Sequence, residues 1–139
     1  MLLSMTPRDL SRLPDPPRHA PRRDWVKNFL YASHGIAYAW RTERNFRLEA
    51  YISGLVIVVA LFFGLNLVPV LLCCALVMSL ELLNTALEAI VDLVSPTYHP
   101  LAKIAKDVAA GAVLLSSAMS LLIGLYLFIP VIISRVSSP

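Results

Sequence analysis

The sequence predicts an all-α integral membrane protein, a surface helix followed by three transmembrane helices, and three observations carry that prediction. Of its 139 residues 58% are apolar and only 15% charged, where a soluble domain averages roughly 25% charged. No charged residue occurs between positions 50 and 80, or between 108 and 134, and ~20 apolar residues suffice to cross a bilayer as a helix. The basic residues are segregated. Nine of the twelve Lys and Arg lie between Arg8 and Arg47, two more are Lys103 and Lys106, and Arg135 stands alone. That pattern follows the positive-inside rule, so the net charge of +3 reports topology and no nucleic-acid partner is expected. A soluble enzyme and a disordered module are both excluded.

Residues 1–24 hold half of the ten prolines together with five arginines and three aspartates. Such a segment has little to bury and reads as a flexible cytoplasmic arm. Its opening lacks the apolar core and small-residue cleavage site of a signal peptide. From residue 25 to 41, Trp25, Phe29, Ala32, Ile36 and Trp40 recur on one helical face, predicting an amphipathic helix at the membrane surface. The first span is expected over about 48–65. Gly64, Asn66 and Pro69 mark a short uncharged turn. The second span then runs over 68–94. Ser95, Pro96 and Pro100 interrupt it, making 95–100 a cytoplasmic loop. The third span covers 101–133, with Pro130 near its far end and 135–139 as a tail. The chain is thus read as multi-pass in a membrane, its N-terminus cytoplasmic. Small residues of the third span (Ala109, Ala110, Gly111, Ala112, Ser116, Ser117, Ala118) suit close helix packing, and so thin a bundle predicts a homo-oligomer. Cys73 and Cys74 are adjacent in an apolar run; they neither staple a fold nor form a metal pair, and read as packing residues.

Carboxylates inside a membrane cost about 3 kcal/mol each on the lenient insertion scale and mark function. The second span carries Glu81, Asn84, Glu88 and Asp92, which at 100° per residue fall within about 80° of arc. Glu81 lies ~10 Å deeper than Glu88 at 1.5 Å rise per residue. Lys103, Lys106, Asp107 and Ala110 form a matching stripe at the start of the third span, and Glu43, Asn45, Arg47 and Glu49 gather where the surface helix meets the first span. Carboxylates with an amide oxygen are ligands that Mg²⁺ prefers. Lysines beside them suit phosphates, and a deeper carboxylate suits a base toward a lipid hydroxyl. The combination points to phosphoryl transfer, where positioning and charge neutralisation provide most of the catalysis. A Gly-rich phosphate loop is absent.

Three other readings stay open at this level. The stripes are also compatible with ion-paired helix contacts, Glu88 and Asp92 neutralising Lys103 and Lys106. A non-enzymatic adaptor whose buried charges lock an oligomer is then the alternative function. A transporter or proton relay would want a polar path through the whole bilayer, and residues 55–63 and 71–77 are wholly apolar. Taken alone, Tyr31 and Tyr38 read as interfacial anchors. His99 reads as a loop residue near a nucleotide or a hydrogen-bond donor, and Glu49 as a carboxylate that snorkels.

The run Glu81-Leu-Leu-Asn84-Thr-Ala-Leu-Glu88-Ala-Ile-Val-Asp92 resembles the signature of the prokaryotic diacylglycerol kinase family. So does Tyr98-His99-Pro100-Leu-Ala-Lys103-Ile-Ala-Lys106-Asp107-Val-Ala-Ala-Gly-Ala, at the family's spacing from the first block. Thr42-Glu43-Arg44-Asn45-Phe46-Arg47 resembles its first polar block, and the likeness covers about residues 25–129. The resemblance implies a homotrimer of three-span protomers that uses MgATP to phosphorylate a membrane lipid alcohol. It implies Glu81 as general base, Glu43 and Glu88 as metal- and ATP-binding glutamates, and Asn84 as their polar partner, with Asp92 in support. Tyr31, Tyr98, His99, Lys106 and Asp107 match nucleotide-binding positions; Glu49 and Ala110, with Glu81, match positions associated with the lipid. Within the family the chain looks more like the undecaprenol kinase branch than the proteobacterial diacylglycerol branch, which tends to have serine where Ala110 stands.

Overall fold

A computed structural model describes residues 25–137 as four helices: α1 Trp25–Thr42, α2 Arg44–Phe62, α3 Leu67–Val94 and α4 Pro100–Val136. The expected arm of residues 1–24 and the last two residues of the expected tail lie outside the described residues. α2, α3 and α4 are each long and apolar enough to cross a membrane. The chain divides at His34 and Gly35 into a small N-terminal unit and a larger one that contains α2, α3 and α4.

Each joint between helices has a local chemical cause. α2 closes in a Schellman motif, with Gly64 N–H donating to Leu61 O at 3.1 Å and Leu65 N–H to Ala60 O at 2.9 Å. Gly64 takes φ +68 there, a left-handed conformation that costs other residues ~1–2 kcal/mol. Asn66 then caps α3, its side chain accepting from Val68 N–H at 3.0 Å. At the other end of α3, Ser95 closes the helix through its N–H to Val91 O at 2.8 Å. His99 caps α4, and Pro100 occupies the first turn, where its missing N–H leaves no bond unmade. α4 runs through Pro130 to Val136.

Helix and span boundaries differ in an instructive way. The first span is expected from residue 48, yet α2 begins at Arg44, so Asn45, Phe46 and Arg47 ride on its first turn. Polar residues limit the depth of apolar surface; they do not interrupt the backbone ladder. Only Glu43 departs from helical conformation between α1 and α2, with φ −95 and ψ 115. α4 likewise continues three residues past the expected 133, with Arg135 in its last turn, so the expected tail begins as helix.

α3 packs against both α2 and α4. Its inward face runs through Val70, Val77, Glu81 and Thr85, a single stripe that is apolar in one half of the helix and polar in the other. On α4 the buried positions are Ala109, Val113 and Ser116. Of the small residues on α4, Ala109 and Ser116 therefore pack within the chain, while Ala110, Gly111, Ala112 and Ala118 remain exposed. Cys73 and Cys74 are half-buried free thiols. On α1 the expected apolar face stays open, with Trp25, Phe29, Ile36 and Trp40 all exposed in the single chain.

Candidate active site

Glu81 is the residue around which the site is built. It sits at the midpoint of the 28-residue α3, ~20 Å from either end at 1.5 Å per residue, and only 3% of it is exposed. Glu43 and Glu88 lie within electrostatic reach of it, and so does Glu49. Four carboxylates from the α1–α2 junction, α2 and α3 therefore share one neighbourhood, and no cation among the described residues pairs with any of them. Repulsion among like charges makes such a cluster unfavourable on its own.

The polar atoms around Glu81 are partly committed and partly free. Asn84 Nδ2 donates to Glu88 Oε1 at 3.0 Å, which ties the two side chains one turn apart. Asn84 Oδ1 and Glu49 Oε2 are buried without a hydrogen-bond partner. Thr85, buried one turn from Glu81, spends its hydroxyl on the Glu81 backbone carbonyl at 3.0 Å, leaving the Glu81 carboxylate unengaged. Sequence periodicity overlooks Thr85 because a threonine on an apolar helix carries no charge to draw notice.

Among the described residues no three of His, Cys, Asp or Glu converge closely enough to cage a metal ion by themselves. Magnesium keeps several waters and binds through one or two carboxylates plus substrate phosphates. The donors present, carboxylates and a free amide oxygen, fit such a partial site.

Near the loop between α3 and α4 the basic residues divide. Lys106 Nζ donates to Asp92 Oδ1 at 2.6 Å across the two helices, whereas Lys103 pairs with Asp107 on its own helix. The ion-pair reading of the stripes is therefore realised at the exposed rim and not at depth, where Glu88 bonds Asn84. The four-residue stripe expected on α4 is also rotated off the helix contact. Lys106 is half-buried at its edge, while Lys103, Asp107 and Ala110 face outward and Ala109 faces in. The shared 100° periodicity identifies residues on one face without saying which face packs.

His99 sits at the start of α4, where its Nδ1 accepts Leu101 N–H at 3.2 Å. Tyr98 is exposed beside it, and Tyr31 is exposed on α1 in the N-terminal unit.

Arg47, placed by the sequence in the first polar block, has partners that the motif does not display. Its Nη1 donates to the carbonyls of Trp40 at 2.8 Å and Arg41 at 3.2 Å. No sequence pattern displays a bond to backbone oxygens.

The larger unit thus combines three helices long and apolar enough to cross a membrane with a buried Glu81 on the central one, three further carboxylates within electrostatic reach of it, and lysines at the adjoining rim. The family model for prokaryotic diacylglycerol kinase matches residues 30–128. Over 111 residues the chain is 48% identical to a diacylglycerol kinase of Synechocystis sp., covering 77% of this chain and 63% of that protein. It is 43% identical over 109 residues to an undecaprenol kinase of Bacillus subtilis, covering 76% and 89%. With a diacylglycerol kinase of Escherichia coli K12 it shares 35% identity over 94 residues, covering 66% and 77%. The chain thus spans somewhat less than two thirds of the Synechocystis relative and most of the other two. It belongs to the prokaryotic diacylglycerol kinase family, a family of lipid kinases.

Proposed function

We propose that the chain transfers the γ-phosphoryl group of MgATP to the hydroxyl of a membrane lipid alcohol, and that it acts as a homotrimer in a bacterial inner membrane with its N-terminus and the 95–100 loop on the cytoplasmic side. The observation that carries the reading is Glu81: a carboxylate 3% exposed at the centre of a membrane-spanning helix, with three more carboxylates around it and, among the described residues, no cation paired with it. Nothing about helix packing requires that arrangement, since an apolar residue there would be cheaper.

In this reading Glu81 accepts the proton of the lipid hydroxyl as its oxygen bonds the γ-phosphorus and the bond from that phosphorus to the β,γ-bridging oxygen breaks, releasing ADP. Glu43 and Glu88 hold the magnesium that accompanies ATP, and Asn84 orients Glu88. Magnesium supplies neutralisation of charge on the phosphate oxygens. Lys106, held by Asp92, steadies the phosphates; Tyr31, Tyr98, His99 and Asp107 line the nucleotide. Glu49 and Ala110 face the lipid. α1 lies along the membrane surface on its open apolar face, as Trp25 and Phe29 suit. The exposed Ala110, Gly111, Ala112 and Ala118 of α4 fit close contact between protomers.

For the lipid, undecaprenol is favoured. Identity to the Bacillus undecaprenol kinase exceeds that to the Escherichia diacylglycerol kinase, and alanine stands at position 110. Diacylglycerol is the second reading, favoured by the Synechocystis relative. Replacing Glu81 by Gln tests the mechanism. Turnover falls ~10²–10⁴-fold, the range of general-base catalysis, while assembly in detergent is unchanged. Wild-type turnover in that variant removes Glu81 as the base.

A further inference from the structure

We infer that Arg47 is the positioning residue for Glu43: from the first turn of α2 its guanidinium clamps the last carbonyls of α1, and this fixes the one-residue break from which the uncapped Glu43 carboxylate reaches the carboxylate cluster. What Glu43 does there rests on the kinase reading above; the clamp itself rests on geometry.

Glu43 stands at the N-cap of α2, where an acidic residue ordinarily accepts N–H bonds from the first turn. Its side chain makes no such bond. The backbone of Glu43 is nevertheless tied on both sides. Its N–H donates to Ala39 O at 2.8 Å, closing α1, and its carbonyl accepts from Arg47 N–H at 3.5 Å, opening α2. The carbonyls of Trp40 and Arg41 belong to the last turn of α1, where helical oxygens lack intrahelical donors. Arg47 reaches back seven and six residues to bond both of them through Nη1, at 2.8 and 3.2 Å.

A positive charge at the negative end of a helix dipole is favourable, and charge-assisted hydrogen bonds are stronger than neutral ones. The seam is also packed. Ala39 and Phe46 are buried, and Trp40 meets Phe46 and Tyr51 edge-on at centroid distances of 6.3 and 5.7 Å. The end of α1, the break and the first turn of α2 therefore form one braced corner. Glu43 is its single extended residue, and its carboxylate lies within electrostatic reach of Glu81.

The test uses the full chain in mixed micelles and two readouts. Without nucleotide, hydrogen exchange is followed at the backbone amides of residues 43–47. With MgATP as the probe, affinity is measured by titration in wild type, Arg47→Ala, Glu43→Gln and the double variant. Arg47→Ala accelerates exchange at the corner and weakens MgATP binding roughly 10- to 100-fold, as loss of a ligand's supporting partner does. In the Glu43→Gln background the same change adds less than about twofold, within the scatter of independent sites. Equal losses in both backgrounds, or unaltered exchange, overturn the inference and leave Arg47 a general structural residue. If wild type itself does not bind MgATP, the kinase reading falls, and the exchange result alone decides the clamp. Should Arg47→Ala not assemble, Arg47→Lys reads the same cycle with a smaller expected loss.

Discussion

The two halves of α3 share one backbone and one inward face, yet they carry opposite chemistry. Residues 67–80 contain no charge and bury Val70 and Val77; residues 81–94 place Glu81, Asn84, Glu88 and Asp92 on the same stripe. The first half is explained by packing alone. In the second, Glu81 is as buried as Val70 while like charges surround it, so this half is less stable than an apolar version would be. Stability and function are thus separated along one helix, and substitutions in the two halves should have opposite signatures.

The largest contrast is expected from Glu81→Leu. Turnover disappears, while thermal unfolding in detergent shifts upward, because replacing a buried charge by apolar volume is often stabilising by about 1–4 kcal/mol. A fall in stability would mean that Glu81 braces the bundle, as the adaptor reading requires. Next in size, Glu88→Gln keeps the hydrogen-bonding shape beside Asn84 and removes the charge. The magnesium concentration for half-maximal rate rises on the order of tenfold, and an unchanged magnesium titration contradicts the role given to Glu88.

In the apolar half, Val77→Ala costs about 1 kcal/mol of stability through lost packing and leaves the magnesium requirement where it was. A changed requirement would show that the halves are not independent. Smallest is Asp92→Asn. In the Lys106–Asp92 pair Asp92 is mostly exposed and Lys106 half-buried, with side-chain exposures of 66% and 36%, so its loss changes stability by no more than about 1 kcal/mol. Its effect is read instead as a rise in KM for MgATP, reversed in Asp92→Glu.

Much of this division is legible in the sequence. The charge-free run from 50 to 80 and the cost of a carboxylate in lipid point to α2, α3 and Glu81 without any coordinates. Asn66 and Pro100 mark helix starts through well-understood capping chemistry. The rotation of α4 is not legible, because Lys103, Lys106, Asp107 and Ala110 share an arc whichever way the helix turns. Only packing of Ala109, Val113 and Ser116 selects the face. Arg47 is legible as a member of the polar block, but its clamp is not, because its partners are backbone oxygens of Trp40 and Arg41, which every residue possesses. The acceptor role of His99 is hidden in the same way.

The most direct test of the central claim offers the purified protein radiolabelled ATP with magnesium in mixed micelles, and supplies undecaprenol, diacylglycerol and ceramide in parallel. Label is expected in the lipid extract, with undecaprenol accepting more than diacylglycerol. No nucleotide binding and no label in any of the three alcohols would contradict the account.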